Sequence, residues 1–320
     1  MLRLVFLGTS AAQPTAGRNL SALALRREGE LFLFDCGEGT QRQMIRFGTG
    51  FDVAAVFFTH FHADHYLGAI GFLRTLSMLG REEPLHLYGP PPARKLLQVM
   101  LFTGTDRLAF PAEIHELAPG EAVRLKGAEV RAFPTDHKTP SLGYALVEDA
   151  RPGRFHPDRA AALGVPEGPL FGDLQRGRTV VVAGRTIRPE EVVDPPRRGR
   201  TVVITGDTRP AEATVRAARQ ADLLVHDATF GDEEQARALE TFHSTAREAA
   251  RVARAAGAGR LLLTHLSTRY DRDPSPLERE AREEFLPSAV AYDGLVVDVP
   301  FAESAEANAE KALPLSTDGP

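Results

Sequence analysis

The hydrophobic pattern opens on "LRLVFLG", an apolar run of strand length. In "NLSALALRREGELFLFDCG" two further runs flank a polar "RREGE", which predicts a hairpin. "GTQRQMIRFG" predicts a short helix ending at Gly48. "VAAVFFT" is continuously apolar, as in a strand buried on both faces. "YLGAIGFLRTLSML" has helical spacing, "LHLYG" reads as a strand, and the prolines before "ARKLLQVML" start another helix. Short strands follow from Ile114 to Val147, broken by "APGE", "KGAE" and "TDHKTPS". The second half repeats the style, with strands at "TVVITGD", "DLLVHDA", "RLLLTH" and "GLVVDVP" and helices at "AEATVRAARQ", "HSTAREAARVARAAG" and "PLEREAREEFL". The pattern implies one α/β domain, residues 1–150 and 198–301, with two packed sheets and helices outside. Residues 151–197 interrupt it. They are rich in Gly, Pro and Arg, too poor in periodic apolar positions to build much core, and are expected to stand out as an arm. Residues 302–320, small, acidic and unpatterned, are expected to be disordered.

Composition narrows the class. At 320 residues with 43% apolar content, the chain can bury a large core. No apolar run is long enough to span a bilayer, and the N-terminal run is too short for a signal peptide. The single cysteine, Cys36, excludes an internal disulfide framework and fits a reducing cytoplasm; as a residue it reads as a small buried hydrophobe. The net charge of −5 argues against a polyanionic partner until its distribution is examined. The tail carries −3 of it, whereas Arg151 to Arg200 holds ten arginines against six acids. Local fields steer a polyanion, so a basic arm on an acidic protein is compatible with nucleic acid.

The candidate chemistry is concentrated in "FFTHFHADHYLG". The loop after a buried strand is where open α/β sheets place ligands. In an extended segment His60 and His62 point the same way, and Asp64 and His65, at the start of the next helix, can aim at a second point nearby. Imidazole nitrogen and carboxylate oxygen suit Zn²⁺, and two pairs side by side suggest two ions. Completing two sites requires further ligands, and His137 in "PTDHKTP", Asp207 in "TGDTRP" and His265 in "LLLTHLS" each follow an apolar strand. Asp207 can bridge two ions. A structural zinc prefers a closed, usually cysteine-bearing site, so this ligand excess favours catalysis.

"HFHADH" followed by a lone His, a "GDT" aspartate and a final His resembles the metallo-β-lactamase fold superfamily. Together with "GTSAAQP", "RN", "FDCGEGTQRQ", "HDATF", "HST" and "HLSTRY", it resembles the tRNA 3′-processing endonucleases, ribonuclease Z, in their bacterial short form. The resemblance covers nearly the whole chain and implies an α/β, four-layer αβ/βα sandwich with a protruding arm. It implies that His60, His62 and His137 hold one zinc, that His65 and His265 with Asp64 hold the other, and that Asp207 bridges the two. Asp64 is then also the general base. His243 of "HST" is the candidate acid for the leaving ribose 3′-oxygen. Asp227 stands where the family has glutamate and is the candidate to orient His243. Ala16 replaces a family lysine, which leaves Arg18 as the candidate phosphate contact; Ala63 replaces a glycine, and "YDGL" at Asp293 lacks the usual aromatic. The arm resembles the family's tRNA-binding exosite, with Arg154, Arg159, Arg176 and Arg178 as candidate RNA contacts. The implied partners are precursor tRNA and a second copy of the chain as a homodimer, with no membrane and no DNA.

Two other readings compete. One is a small-molecule phosphodiesterase, sulfatase or thioester hydrolase of the same fold, which would need neither the arm nor "HST". The other is a non-catalytic nucleic-acid binder with structural metals, which would be expected to lack ligands.

Overall fold

The computed structural model describes residues 1–301; the expectation of a disordered tail at 302–320 lies outside the described residues. Strand β1 (Leu2–Gly8) leads into a hairpin, β2 (Ala22–Arg27) and β3 (Glu30–Phe34). Its turn is Glu28–Gly29, both at positive φ, with Arg27 opposite Glu30. Such a two-residue loop matches the twist of the strands it joins. Helix α1 (Thr40–Arg46), strand β4 (Val53–Phe57) and helices α2 (Ala63–Tyr66) and α3 (Ala69–Met78) follow. Next come β5 (Leu85–Gly89), α4 (Ala93–Leu101), β6 (Ala112–Glu116), β7 (Ala122–Leu125), β8 (Ala128–Pro134) and β9 (Leu142–Glu148).

Glu148–Gly199 forms a compact unit of its own, separate from the unit of Met1–Val147 and the residues from Arg200 onward. It contains α5 (Pro157–Ala162), α6 (Pro169–Gln175) and the hairpin β10 (Val180–Val182) and β11 (Arg185–Ile187). Ala160, Val165, Leu174, Val180, Ile187 and Val192 are all buried together there, so the segment has a small core that its sparse apolar pattern did not advertise. Arg151 and Arg197 exchange backbone hydrogen bonds of 2.8 and 2.9 Å where the two ends of the unit meet.

The main unit resumes with β12 (Thr201–Ile204), α7 (Glu212–Ala217), β13 (Leu223–Asp227), α8 (Gln235–Thr241), α9 (Ala246–Ala256), β14 (Leu261–Thr264), α10 (Ser275–Glu284), β15 (Ser288–Val290) and β16 (Val296–Asp298). Two seven-stranded sheets result, ordered β16-β1-β2-β3-β4-β5-β6 and β15-β14-β13-β12-β9-β8-β7. Between them lies a core built on Leu4, Phe6, Leu25, Phe32 and Phe57 from one sheet and Val130, Tyr144, Leu146, Val202 and Leu262 from the other. A second apolar cluster joins the first sheet to α1, α3 and α4, through residues such as Met44, Phe72 and Leu97. A third joins the second sheet to α9 and α10, through Ala249, Ala253 and Leu277. The result is the four-layer αβ/βα sandwich, in which the strands buried on both faces are the continuous apolar runs of the sequence.

One predicted helix is two. The helix expected to start at Asp64 and His65 and run on through "YLGAIGFLRTLSML" divides into α2, which ends at Tyr66, and α3, which begins at Ala69. A Cβ on Gly68 would lie 1.9 Å from the carbonyl oxygen of Gly37, so the chain approaches the loop after β3 there more closely than any side chain allows.

Candidate active site

The site gathers at loops that follow strands of both sheets. After β4 come His60 and His62, then Asp64 and His65 on α2. His137 stands in the loop between β8 and β9, Asp207 follows β12, and His265 follows β14. Gly206 permits the closest approach of these loops: its φ is +63°, and a Cβ there would meet the Thr59 Cβ at 2.6 Å. Glycine alone fits that conformation and that gap.

Two clusters form around one carboxylate. In the first, His60 Nε2 lies 2.9 Å from His62 Nδ1, and His137 Nε2 lies 3.2 Å from the same His62 atom. Asp207 Oδ2 is 3.5 Å from His60 Nε2 and 4.0 Å from His137 Nε2. In the second, His65 Nε2 and His265 Nε2 are 3.3 Å apart. Asp64 Oδ2 lies 3.6 Å from His65 Nε2 and 3.3 Å from His265 Nε2. Asp207 Oδ1 is 3.4 Å from each of these two imidazoles. Each Asp207 oxygen therefore faces its own cluster. Oδ1 is buried and has no hydrogen-bond partner. A buried carboxylate oxygen left without a donor is costly unless a cation serves it. The N/O donor set, the convergence and this orphaned oxygen fit a pair of divalent ions. His62 is exposed, which keeps the first cluster open to substrate.

The other ring nitrogens fix the tautomers. His137 Nδ1 donates to the Phe242 carbonyl at 3.0 Å. His65 Nδ1 donates to Asp35 Oδ2 at 2.8 Å, and His265 Nδ1 to Thr229 Oγ1 at 3.0 Å. Each bond leaves a bare Nε2 facing the cluster, the usual arrangement behind metal-binding histidines. Ala12 N donates to Asp64 Oδ2 at 2.8 Å and aims that carboxylate.

Electrostatics separates the groups. Burial and neighbouring His65 push His60 well below its ordinary value, and burial with His137 lowers His62. His137 is lowered by burial. Burial works to raise Asp64, yet the hydrogen bond from His265 and the nearby His65 outweigh it and hold the carboxylate below its usual range. For Asp207 burial again opposes ionisation, and His265, His65 and His60 overcome it. His65 runs the other way: burial opposes its protonation, but Asp207 and Asp35 raise it well above its ordinary value, so a dication bound there would have to displace its proton.

His243 lies on the edge of this cluster, its ring stacked on His265 at 5.1 Å. Its Nδ1 donates to Asp227 Oδ2 at 2.8 Å, so the shorter stem of aspartate does reach it. Burial opposes protonation of His243, but the Asp227 charge and hydrogen bond prevail and raise it to about 9. Thr245 caps α9 by accepting from Glu248 N, which anchors the segment carrying His243. Arg209 ties three loops together. Its backbone N donates to the Asp136 carbonyl at 2.8 Å, and its guanidinium donates to Glu248 Oε2 at 2.7 Å and to the His243 carbonyl at 2.6 Å.

The positioning groups Asp35, Thr229 and Arg209 are not evident from the ligand pattern alone. Asp35 gave a usable signal, since it too is a polar residue directly after an apolar strand. Of the arginines expected to meet RNA, Arg154 and Arg159 are exposed. Arg176 and Arg178 are exposed but share Asp173 Oδ1 at 2.8 and 2.5 Å. Arg18 is placed differently. It is 7% exposed, and its Nη1 donates to Thr9 Oγ1 and to the Ala291 carbonyl, each at 2.7 Å. That suits holding its loop rather than meeting a strand of RNA at the surface.

Residues 31–266 match the family described as "Beta-lactamase superfamily domain". The ribonuclease Z of Myxococcus xanthus is 63% identical over 305 residues, which cover 95% of this chain and 99% of that protein. This chain belongs to the ribonuclease Z family. The ribonuclease Z of Haloferax volcanii is 53% identical over 312 residues, 97% of this chain and 98% of its own. The crystal structure of human tRNase Z, short form, matches with a TM-score of 0.69 at 29% identity, over 93% of this chain and 99% of that one. Membership in the ribonuclease Z family makes the chain a metal-dependent endoribonuclease of tRNA 3′ processing, on a metallo-β-lactamase fold. The reading as a small-molecule phosphodiesterase or sulfatase gives way at this identity. No helix among the described residues is long and apolar enough to cross a membrane.

Proposed function

We propose that the chain removes 3′ trailers from precursor tRNA as a two-zinc hydrolase, cutting after the discriminator nucleotide. The observation that carries this reading is the division of Asp207, one oxygen toward His60 and His137 and the other toward His65 and His265. His60, His62 and His137 would hold one ion, Asp64, His65 and His265 the other, and Asp207 both. Bound there, two dications lower the pKa of water to a nucleophile at neutral pH and offset the charge of the phosphodiester. Asp64, held ionised, takes up the proton of the attacking water. Attack on phosphorus breaks its bond to the ribose 3′-oxygen. His243, protonated beside Asp227, gives that oxygen its proton and leaves a 3′-hydroxyl on the tRNA.

The exposed guanidinium groups of Arg154, Arg159, Arg176 and Arg178 support the reading of 151–197 as an arm that grips the tRNA backbone. A homodimer is supported by the exposed apolar side chains Met78, Leu79, Val99 and Phe102, 87%, 63%, 65% and 67% accessible, on or just after α3 and α4. Arg74 of α3 donates to the Leu101 carbonyl that ends α4 and to the Thr103 carbonyl just after it, which ties the two helices together. The absence of a disulfide framework supports a cytoplasmic setting.

The deciding assay presents the protein with a trailer-bearing precursor tRNA and, separately, with bis-p-nitrophenyl phosphate. The expected product is a tRNA ending in a 3′-hydroxyl, lost on chelation and restored by zinc. Hydrolysis of the small diester without precursor cleavage would return the chain to the small-molecule reading.

A further inference from the structure

A second group of metal-binding side chains stands on strands β5 and β6, apart from the residues of the active site. Parallel pairing sets His86 opposite Glu113 and Tyr88 opposite His115. Side chains two apart on a strand share a face, so all four emerge on the same side of the sheet. His86 Nδ1 lies 3.2 Å from His115 Nε2 and 3.3 Å from Glu113 Oε2. His115 Nε2 is 3.8 Å from the same Glu113 oxygen. Ligand atoms about 2.0–2.2 Å from a tetrahedral zinc stand about 3.3–3.6 Å from one another, so this triangle has close to the dimensions of one face of such a site.

We propose that His86, Glu113 and His115 form a further metal site, one that takes a divalent transition cation of the zinc, nickel or copper class. Two imidazoles and one carboxylate are the donor set of three-ligand zinc sites, with the outer position left for water. The Tyr88 ring flanks the pair of imidazoles, 6.1 Å from that of His86 and 4.7 Å from that of His115, and stacks on both. It limits the rotation of both rings and so lowers the entropy lost on binding. The ligand side chains remain about two-fifths to one-half accessible, at 40%, 48% and 39%, so a cation can reach them from solvent. β6 is the last strand of its sheet and pairs only with β5 among the described residues. A cation held between the two would fasten that edge.

The test counts zinc in the holoenzyme. Wild type and the variants His115→Gln, His86→Gln and Glu113→Gln are dialysed against micromolar zinc chloride and analysed by mass spectrometry. Wild type is expected to hold one more zinc per chain than His115→Gln or His86→Gln, with precursor tRNA cleavage equal in all. Cobalt added to metal-free wild type in place of zinc should give more visible absorption per chain than it gives in His115→Gln. Thermal unfolding checks that each variant is folded. Equal zinc content in wild type and in both folded histidine variants would overturn the proposal and leave a hydrogen-bonded His–His–Glu group.

Discussion

At the scale of single residues, the carboxylates of Asp64 and Asp227 are separated by their neighbours. Asp64 faces the second histidine cluster, and Asp227 is held among His243, Thr229 and the Thr208 backbone N–H. Asp64→Ala is expected to abolish cleavage while tRNA affinity, measured by gel shift at fixed salt, stays within a few-fold. A fall in affinity as large as the fall in rate would contradict that division of labour. His243→Ala should lower kcat by roughly 10²–10⁴, the scale of a positioned acid, with the wild-type metal content retained. Metal lost from that variant would make His243 a ligand. The Asp227 contact also sets a pH dependence. A group raised to about 9 keeps its proton below that pH and loses it above, so an acid at His243 supports activity until the pH rises through about 9. Asp227→Asn removes the charge that raises it, so the alkaline decline of kcat should begin at lower pH. An unchanged alkaline limb in that variant would detach His243 from the chemistry.

At the scale of elements, the proposed ligands were legible because the polar stretches that carry them follow apolar strands, and strand ends are where open sheets present ligands. His60, Asp207 and His265 all obey that rule. His243 was not legible from pattern; nothing local distinguishes it from a histidine ahead of a helix cap, and only family resemblance marks it out. Short elements were lost for a related reason. β15 has three residues, and the buried positions of the 148–199 unit, among them Val165, Leu174 and Ile187, follow no period. The close approach of Gly68 to the carbonyl of Gly37, thirty-one positions before it, is one that no window of sequence displays. Arg209 was passed over because its role is relational. Its guanidinium meets both oxygens of Glu248, and both side chains are nearly buried, 12% and 11% accessible. Removing one member of such a pair strands the other, so Arg209→Ala should lower stability by about 3 kcal/mol and reduce kcat as the His243 segment loosens. A wild-type denaturation midpoint in that variant would show that the three loops hold without it.

At the scale of the whole molecule, the body and the 148–199 unit divide chemistry from affinity in the proposed function. Replacing residues 152–196 with a two-glycine turn should leave a folded, metal-loaded body, because Arg151 and Arg197 already pair at the ends of the unit. Hydrolysis of bis-p-nitrophenyl phosphate should persist, while precursor cleavage falls through KM and the salt dependence of tRNA binding flattens. An unchanged KM would return the arm to a solvated excursion. The proposed dimer has its own test, since Phe102→Asp should yield monomers by light scattering if the apolar face on α3 and α4 is the interface. The spread of ligands from His60 to His265 also bears on biosynthesis. Ribosomes extend a chain at about 5–20 residues per second from its N-terminus. His60, His62, His137 and Asp207 all emerge before β13 is complete, whereas His265 arrives near the end. A polypeptide released early, short of β14, therefore carries the first cluster and only Asp64 and His65 of the second. Abortive translation products of this gene are thus born without an assembled cutting centre.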